Sequence, residues 1–226
     1  PLAMDYFVWA IRSGERTIVV DLGFGREEGE RRGRTFLRCP TEGLKLIGID
    51  ANEVQDVIIT HMHYDHAGNL ELFPNARFHL QDAEMDYVTG RAMTHPSLRH
   101  SFRLDDVVEM VRLVYGDRVV FHAGDDNIAP GIDVHHVPGH TRGLQSVSVN
   151  TKRGPILLAS DSAHYYENVE NELQFSTVEN IFEMLESYRK VRRLAGESTR
   201  LVPGHDPMVL DRYPPPSEAL RGIVVA

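Results

Sequence analysis

The residues His61, Met62, His63, Tyr64, Asp65 and His66 follow directly on the strand-like run Val57, Ile58, Ile59, Thr60. This H-x-H-x-D-H cluster constrains the fold more than any other feature of the chain. Imidazole nitrogen and carboxylate oxygen are ligands for zinc and related divalent ions, and each zinc ion needs about four donors. Six consecutive residues point in different directions and cannot wrap four donors around one ion. They can supply part of the shell of two ions lying side by side, so the chain must fold to bring further donors to this loop. Three positions suit that role: His140 in Val-Pro-Gly-His, Asp161 after the apolar run Ile156, Leu157, Leu158, Ala159, and His205 in Val-Pro-Gly-His-Asp. A purely structural use of the cluster is a poor alternative, because three packed imidazoles repel one another once protonated.

Every one of these residues lies just past the end of an apolar, strand-like segment, where loops are held rigidly and functional groups concentrate. Gly139 and Gly204 allow sharp turns directly before His140 and His205. Of the 12 histidines, His79, His95, His100 and His122 carry no motif and read as bystanders. His135 and His136 are neighbours on a strand and face opposite ways, so at most one could approach the cluster; both read as structural or supporting.

The rest of the chain reads as alternating strands and helices. A hairpin is expected from Tyr6–Ile11 and Thr17–Asp21 around Gly14, then a polar stretch from Gly23 to Pro40 and a short helix over Glu42–Ile47. Ala67–Phe73 reads as the start of a helix, Ala76–Gln81 as a strand and Asp82–Tyr87 as a helix. Leu104, Val107, Val108, Val111, Val114 and Tyr115 recur at helical spacing. Strands follow at Arg118–His122, Ile132–Val137, Gln145–Asn150, Pro155–Ser160 and Thr199–Val202. Ser176 and Glu179 form an S-x-x-E capping box ahead of a long helix reaching about Leu194. This pattern points to an α/β chain, two sheets packed face to face with helices outside, in one domain over residues 1–226.

Net charge is −9, from 24 basic and 33 acidic residues, which argues against a phosphate-backbone partner. Arg31, Arg32 and Arg34 alternate with Glu27, Glu28 and Glu30 and read as a charge-balanced, solvated loop. No apolar run approaches the ~18 residues of a membrane span. The lone Cys39 excludes an internal disulfide and suggests a reducing compartment; with no visible signal peptide, a cytoplasmic location is expected.

The ligand pattern resembles the metallo-β-lactamase superfamily, from Asp21 in Val-Val-Asp-Leu-Gly to His205. The resemblance implies an αβ/βα four-layer sandwich with a two-metal site at one edge. His61, His63 and His140 would bind one ion, and Asp65, His66 and His205 the other, with Asp161 bridging. The ions would be two divalent metals, zinc first, with iron, manganese or cobalt as alternatives. The contexts Asp21-Leu-Gly-Phe, Thr60-His-Met-His-Tyr-Asp-His-Ala-Gly-Asn, Pro138-Gly-His-Thr and Asp161-Ser-Ala-His-Tyr-Tyr-Glu-Asn are similar to the N-acyl homoserine lactonases. Those enzymes open the lactone ring of bacterial quorum-sensing signals, so a small-molecule lactone is the expected partner, with neither nucleic acid nor membrane; a homodimer is left open. The best-studied members carry a tyrosine three residues after the bridging aspartate, and here His164 takes that place.

The implied mechanism uses two ions roughly 3.5–4 Å apart to lower the pKa of a shared water toward about 7, giving a hydroxide that attacks the lactone carbonyl. Asp65, Asp161 and His164 are the candidate catalytic residues, His164 as hydrogen-bond donor to the substrate or oxyanion. Gly23–Pro40, with Phe24, Phe36 and Leu37, is the candidate substrate lid. Three other readings compete. A glyoxalase II-type thioester hydrolase adds a helical C-terminal extension, for which 226 − 205 = 21 residues after His205 are too few. A mononuclear-iron persulfide dioxygenase would not need the second set of ligands. A non-catalytic module would close its zinc with four protein donors rather than spread seven over an open site.

Overall fold

The runs Ile18-Val19-Val20 and Val57-Ile58-Ile59 are fully buried along their length. Successive residues of a strand point to opposite faces, so such runs need apolar cover on both sides. They receive it. Ile18, Val20 and Ile58 join one core, whereas Val19, Val57 and Ile59 join another. The computed structural model describes residues 3–14, 16–196 and 200–226.

The first sheet contains β1 (Trp9–Ser13), β2 (Arg16–Val20), β3 (Asp56–Ile58), β4 (Arg77–Gln81) and β5 (Val119–His122), in that order. β1 and β2 are the expected hairpin; β2 to β5 pair in parallel. The second sheet runs β10 (Leu201–Pro203), β9 (Gly154–Ser160), β8 (Gln145–Thr151), β7 (Ile132–His136), β6 (Asp126–Ala129). Only β9 and β10 are parallel there.

Helices cover both outer faces. α2 (Pro40–Leu46), α3 (Asp82–Thr89) and α5 (Leu104–Tyr115) contribute Leu44, Tyr87, Val88, Val107, Met110 and Leu113 to the core over Val19, Val57 and Phe78. α7 (Ile181–Ala195) buries Met184, Tyr188, Val191 and Ala195 at helical spacing, in the core that holds Val134, Val147 and Leu157. Helix, sheet, sheet and helix form the four-layer αβ/βα sandwich. The remaining helices are short: α1 (Arg26–Arg31), α4 (Pro96–Arg99), α6 (Tyr166–Glu170) and α8 (Met208–Arg212). No helix among the described residues is long and apolar enough to cross a membrane.

Several local expectations are corrected. The charged stretch after Gly25 is not a solvated loop but α1, built on Glu28, whose carboxylate takes Arg31 at 2.6 Å and Arg32 at 2.5 Å, the i,i+3 and i,i+4 pairing of a helix. Arg32 also donates to the His100 carbonyl at 2.8 Å and lies over the Tyr64 ring, so the segment is tied to the histidine loop. Ala67–Phe73 forms only a 3-10 turn over Leu70–Leu72, because Asn69 adopts φ +60° and interrupts the α-helix. The capping residue of α7 is Asn180, whose side chain accepts the Glu183 N–H. Ser176 is not the cap because the chain before α7 is diverted to hold His140 through the Thr177 carbonyl. β6 was not expected: Asp-Asn-Ile-Ala lacks β-branched alternation, and pairing with β7 makes it an edge strand. The last strand begins at Leu201; Thr199 lies outside the described residues.

Candidate metal centre

Parallel pairing explains why distant residues meet. β2 and β3 run side by side and end together, delivering Asp21 and the His61–His66 loop. β9 and β10 also end together, delivering Asp161 and His205. Asp21 and Ser160 turn the chain at these ends with φ of +59° and +49°, left-handed backbone that non-glycine residues adopt mainly where the surroundings enforce it. Gly204 is required by space, since a Cβ there would lie 2.5 Å from Asp161 Oδ1. At Gly139, φ is +127° and a Cβ would lie 2.3 Å from the Met184 backbone N.

The seven residues expected from the sequence come together, all buried. His61 Nε2, His63 Nδ1 and His140 Nε2 lie within 3.0 Å of one another along the chain of contacts, at 3.0 and 2.9 Å. Asp161 Oδ2 is 3.1 Å from His140 Nε2 and 3.8 Å from His61 Nε2. On the other side, Asp161 Oδ1 is 3.3 Å from His66 Nε2 and 2.9 Å from His205 Nε2. Asp65 Oδ2 stands 3.8 Å from each of those two nitrogens. Asp161 thus divides the donors, one oxygen to each group.

The outer nitrogens fix which way the lone pairs point. His140 Nδ1 donates to the Thr177 carbonyl and His205 Nδ1 to the Asp5 carbonyl, both at 2.8 Å. A carbonyl only accepts, so each Nδ1 carries hydrogen and a neutral ring leaves Nε2 as an inward lone pair. His66 Nδ1 lies 2.8 Å from Asp21 Oδ2, and the same carboxylate accepts the Thr60 N–H and hydroxyl at 2.8 Å.

This donor set fits divalent metal. His66 Nε2, His205 Nε2 and Asp161 Oδ1 are buried without hydrogen-bond partners although they approach one another closely, as atoms do when aimed at a common point. Donors about 2.0–2.1 Å from a tetrahedral zinc are ~3.3 Å apart, the scale of the contacts above. Electrostatics agree. Burial drives His61 and His63 well below the usual histidine range, and neighbouring imidazoles push the same way. Burial opposes charge on Asp161, but His205, His164, His66 and His140 hold its carboxyl well below the usual range. Burial likewise opposes charge on His66, and Asp161, Asp21 and Asp65 overcome it and raise the ring well above its ordinary value. The carboxylates draw positive charge into the site.

His164 joins this group. Its Nε2 is 3.1 Å from Asp161 Oδ2, its ring stacks on Phe175 at 3.7 Å, and burial pushes it down to about 3, so it is neutral at physiological pH. Tyr165 turns away, its hydroxyl donating to the Ala3 carbonyl. Tyr6 packs edge-on to His205, and Phe102 to His63. His135 bonds Asp125 and Ser148, and His136 the Arg142 carbonyl, neither at the cluster. His79 and His122 form a separate buried pair between Asp56 and Asp126. An open cavity of about 1080 Å³ at the starting ends of β2, β3 and β4 is lined by Thr17, Asp56 and Arg77 and offers no cluster of metal donors among the described residues. Sequence reasoning missed Asp21, Thr60 and Thr177 as supports; an aspartate ending the apolar run Ile18-Val19-Val20 was the available signal for the first, and none marked Thr177.

A two-layered set of His and Asp donors on one edge of an αβ/βα sandwich defines a class of metalloprotein. The family model described as the metallo-beta-lactamase superfamily matches residues 4–205. An N-acyl homoserine lactonase of Bacillus sp. is 30% identical over 165 residues, covering 72% of this chain and 60% of the relative, so the chain spans less than two thirds of that protein's length. A probable metallo-hydrolase of Mycobacterium tuberculosis is 26% identical over 238 residues, covering 92% of this chain and 74% of the relative. The crystal structure of a quorum-quenching N-acyl homoserine lactone lactonase superposes with a TM-score of 0.76 at 22% identity, covering 90% of this chain and 80% of that one. The chain belongs to the metallo-β-lactamase superfamily.

Asp21→Asn replaces the carboxylate oxygen facing His66 Nδ1 while leaving an acceptor for the Thr60 backbone N–H. Metal affinity, measured by competition with a chromophoric chelator, should fall about 10- to 100-fold, the range for lost ligand-orienting partners. Unchanged affinity would mean that Asp21 does not set the His66 lone pair.

Proposed function

We propose that this protein is a metal-dependent hydrolase that opens the lactone ring of N-acyl homoserine lactones. The observation that carries the reading is the division of seven buried donors into two groups by the two oxygens of Asp161. The completeness of the second group, Asp65, His66 and His205, favours it over a mononuclear-iron dioxygenase. The lactonase relative at 30% identity favours lactones over other esters and thioesters.

In this reading His61, His63 and His140 hold one divalent ion and Asp65, His66 and His205 the other, with Asp161 between them and zinc as the first choice of metal. Two such ions, when bound, polarise a carbonyl oxygen and lower the pKa of water toward about 7. The protein's own groups orient the chemistry. Asp65, whose Oδ2 faces the second group, would use its other oxygen to take the proton of the attacking water and return it to the ring oxygen that leaves, while Asp161 holds the two groups together. His164 is neutral and its Nε2 faces Asp161 Oδ2 at 3.1 Å; the same N–H would be shared with the carbonyl oxygen as negative charge develops there. Tyr6 and Phe36, half-buried and packed on the buried Phe24 ring, would offer the acyl chain an apolar flank.

A substrate panel on metal-loaded protein tests the reading: acyl homoserine lactones of several chain lengths, simple lactones, S-lactoylglutathione and nitrocefin. Acyl homoserine lactones should give the highest kcat/KM; preferential turnover of S-lactoylglutathione would replace lactone opening with thioester hydrolysis. His164→Ala should lower lactone turnover about ten- to a thousandfold, the upper end being the loss of one oxyanion donor, while metal content stays the same. Wild-type turnover in that variant would remove His164 from the chemistry.

A further inference from the structure

Glu84 on α3 has no solvent exposure, and the hydrolytic reading gives it no chemical task. Its carboxylate has three partners. Oε1 accepts the Met62 backbone N–H at 2.8 Å; Oε2 accepts the Thr141 hydroxyl at 2.7 Å and the Gly143 backbone N–H at 3.0 Å. Two of the three are backbone N–H groups and the third is a hydroxyl, so the carboxyl is held at both oxygens. Burying such a group is costly unless its partners are fixed.

The partners are placed with purpose. Met62 lies between His61 and His63, and Thr141 follows His140. One side chain therefore braces both loops that carry the three histidines of the first group. The seat is tight: a Cβ on Gly143 would come 2.1 Å from the Glu84 backbone N, so α3 rests directly on the His140 loop. The second group is supported differently, His66 by Asp21 and His205 by the Asp5 carbonyl.

We propose that Glu84 is the positioning residue of the three-histidine half of the centre, locking the His61–His63 and His140 loops in register and so setting the affinity of the ion held there more than that of the other. The inference rests on the two-ion reading of the site. It is tested by zinc titration of apo-protein against a chromophoric chelator, for wild type, Glu84→Gln and Thr141→Val. Glutamine offers one acceptor oxygen and turns an NH₂ toward the remaining donors; valine removes the 2.7 Å bond with little change of shape. Wild type should take up two ions, and failure to do so would count against the two-ion reading itself. Glu84→Gln should weaken one ion about 10- to 100-fold and the other, which shares Asp161, by a clearly smaller factor, with a smaller shift for the first ion in Thr141→Val. A crystal structure of Glu84→Gln at one zinc equivalent should place the ion among Asp65, His66 and His205. Equal weakening of both ions, no weakening, or the remaining ion among the three histidines would overturn the proposal. If Glu84→Gln does not fold, Thr141→Val decides by the same criteria.

Discussion

Asp161 is a carboxylate with 3% exposure and five imidazoles within 3.8 Å. An isolated buried charge of this kind is untenable without compensation, and the surrounding structure is arranged to supply it. The outer nitrogens of His66, His140 and His205 are each engaged by a carboxylate or a carbonyl, which turns the opposite nitrogens inward. Inward lone pairs around carboxylates make a site for cations rather than for protons alone.

That arrangement depends on backbone pairing more than on local sequence. Parallel β2–β3 and β9–β10 pairs end at one edge, so Asp21 meets His66 across 45 positions of chain and Asp161 meets His205 across 44. Thr60 Oγ1 then donates to Asp21 and contacts Ser160 Oγ at 2.8 Å, joining the two sheets directly behind the donors. Gly204 at the end of β10 removes the one atom that would collide with Asp161. The edge is rigid because strand ends, not free loops, carry it.

What the sequence disclosed follows from the range over which each signal acts. Hydrophobic runs and helical spacing are local, and the hairpin, α5 and most strands lie where these signals put them. The H-x-H-x-D-H loop and the glycine-histidine pairs were dense enough to single out residues that the fold gathers at one edge. Signals that depend on tertiary partners were silent or misleading. Arg32 looks like one charge among many until the carbonyls of His100 and Phe102 are beside it. Ser176 satisfies a capping pattern, yet its neighbourhood is committed to His140, and Asn180 caps instead. Glu84 resembles any helical glutamate, because its three partners come from two distant loops.

The central claim is that Asp161 stands between two metal ions. Anomalous diffraction at the zinc edge, from crystals of metal-loaded protein, tests it most directly. The account predicts two peaks per chain about 3.5–4 Å apart, one among His61, His63 and His140 and one among Asp65, His66 and His205, each in contact with an oxygen of Asp161. A single peak, or a pair that leaves Asp161 bound to neither ion, would contradict it.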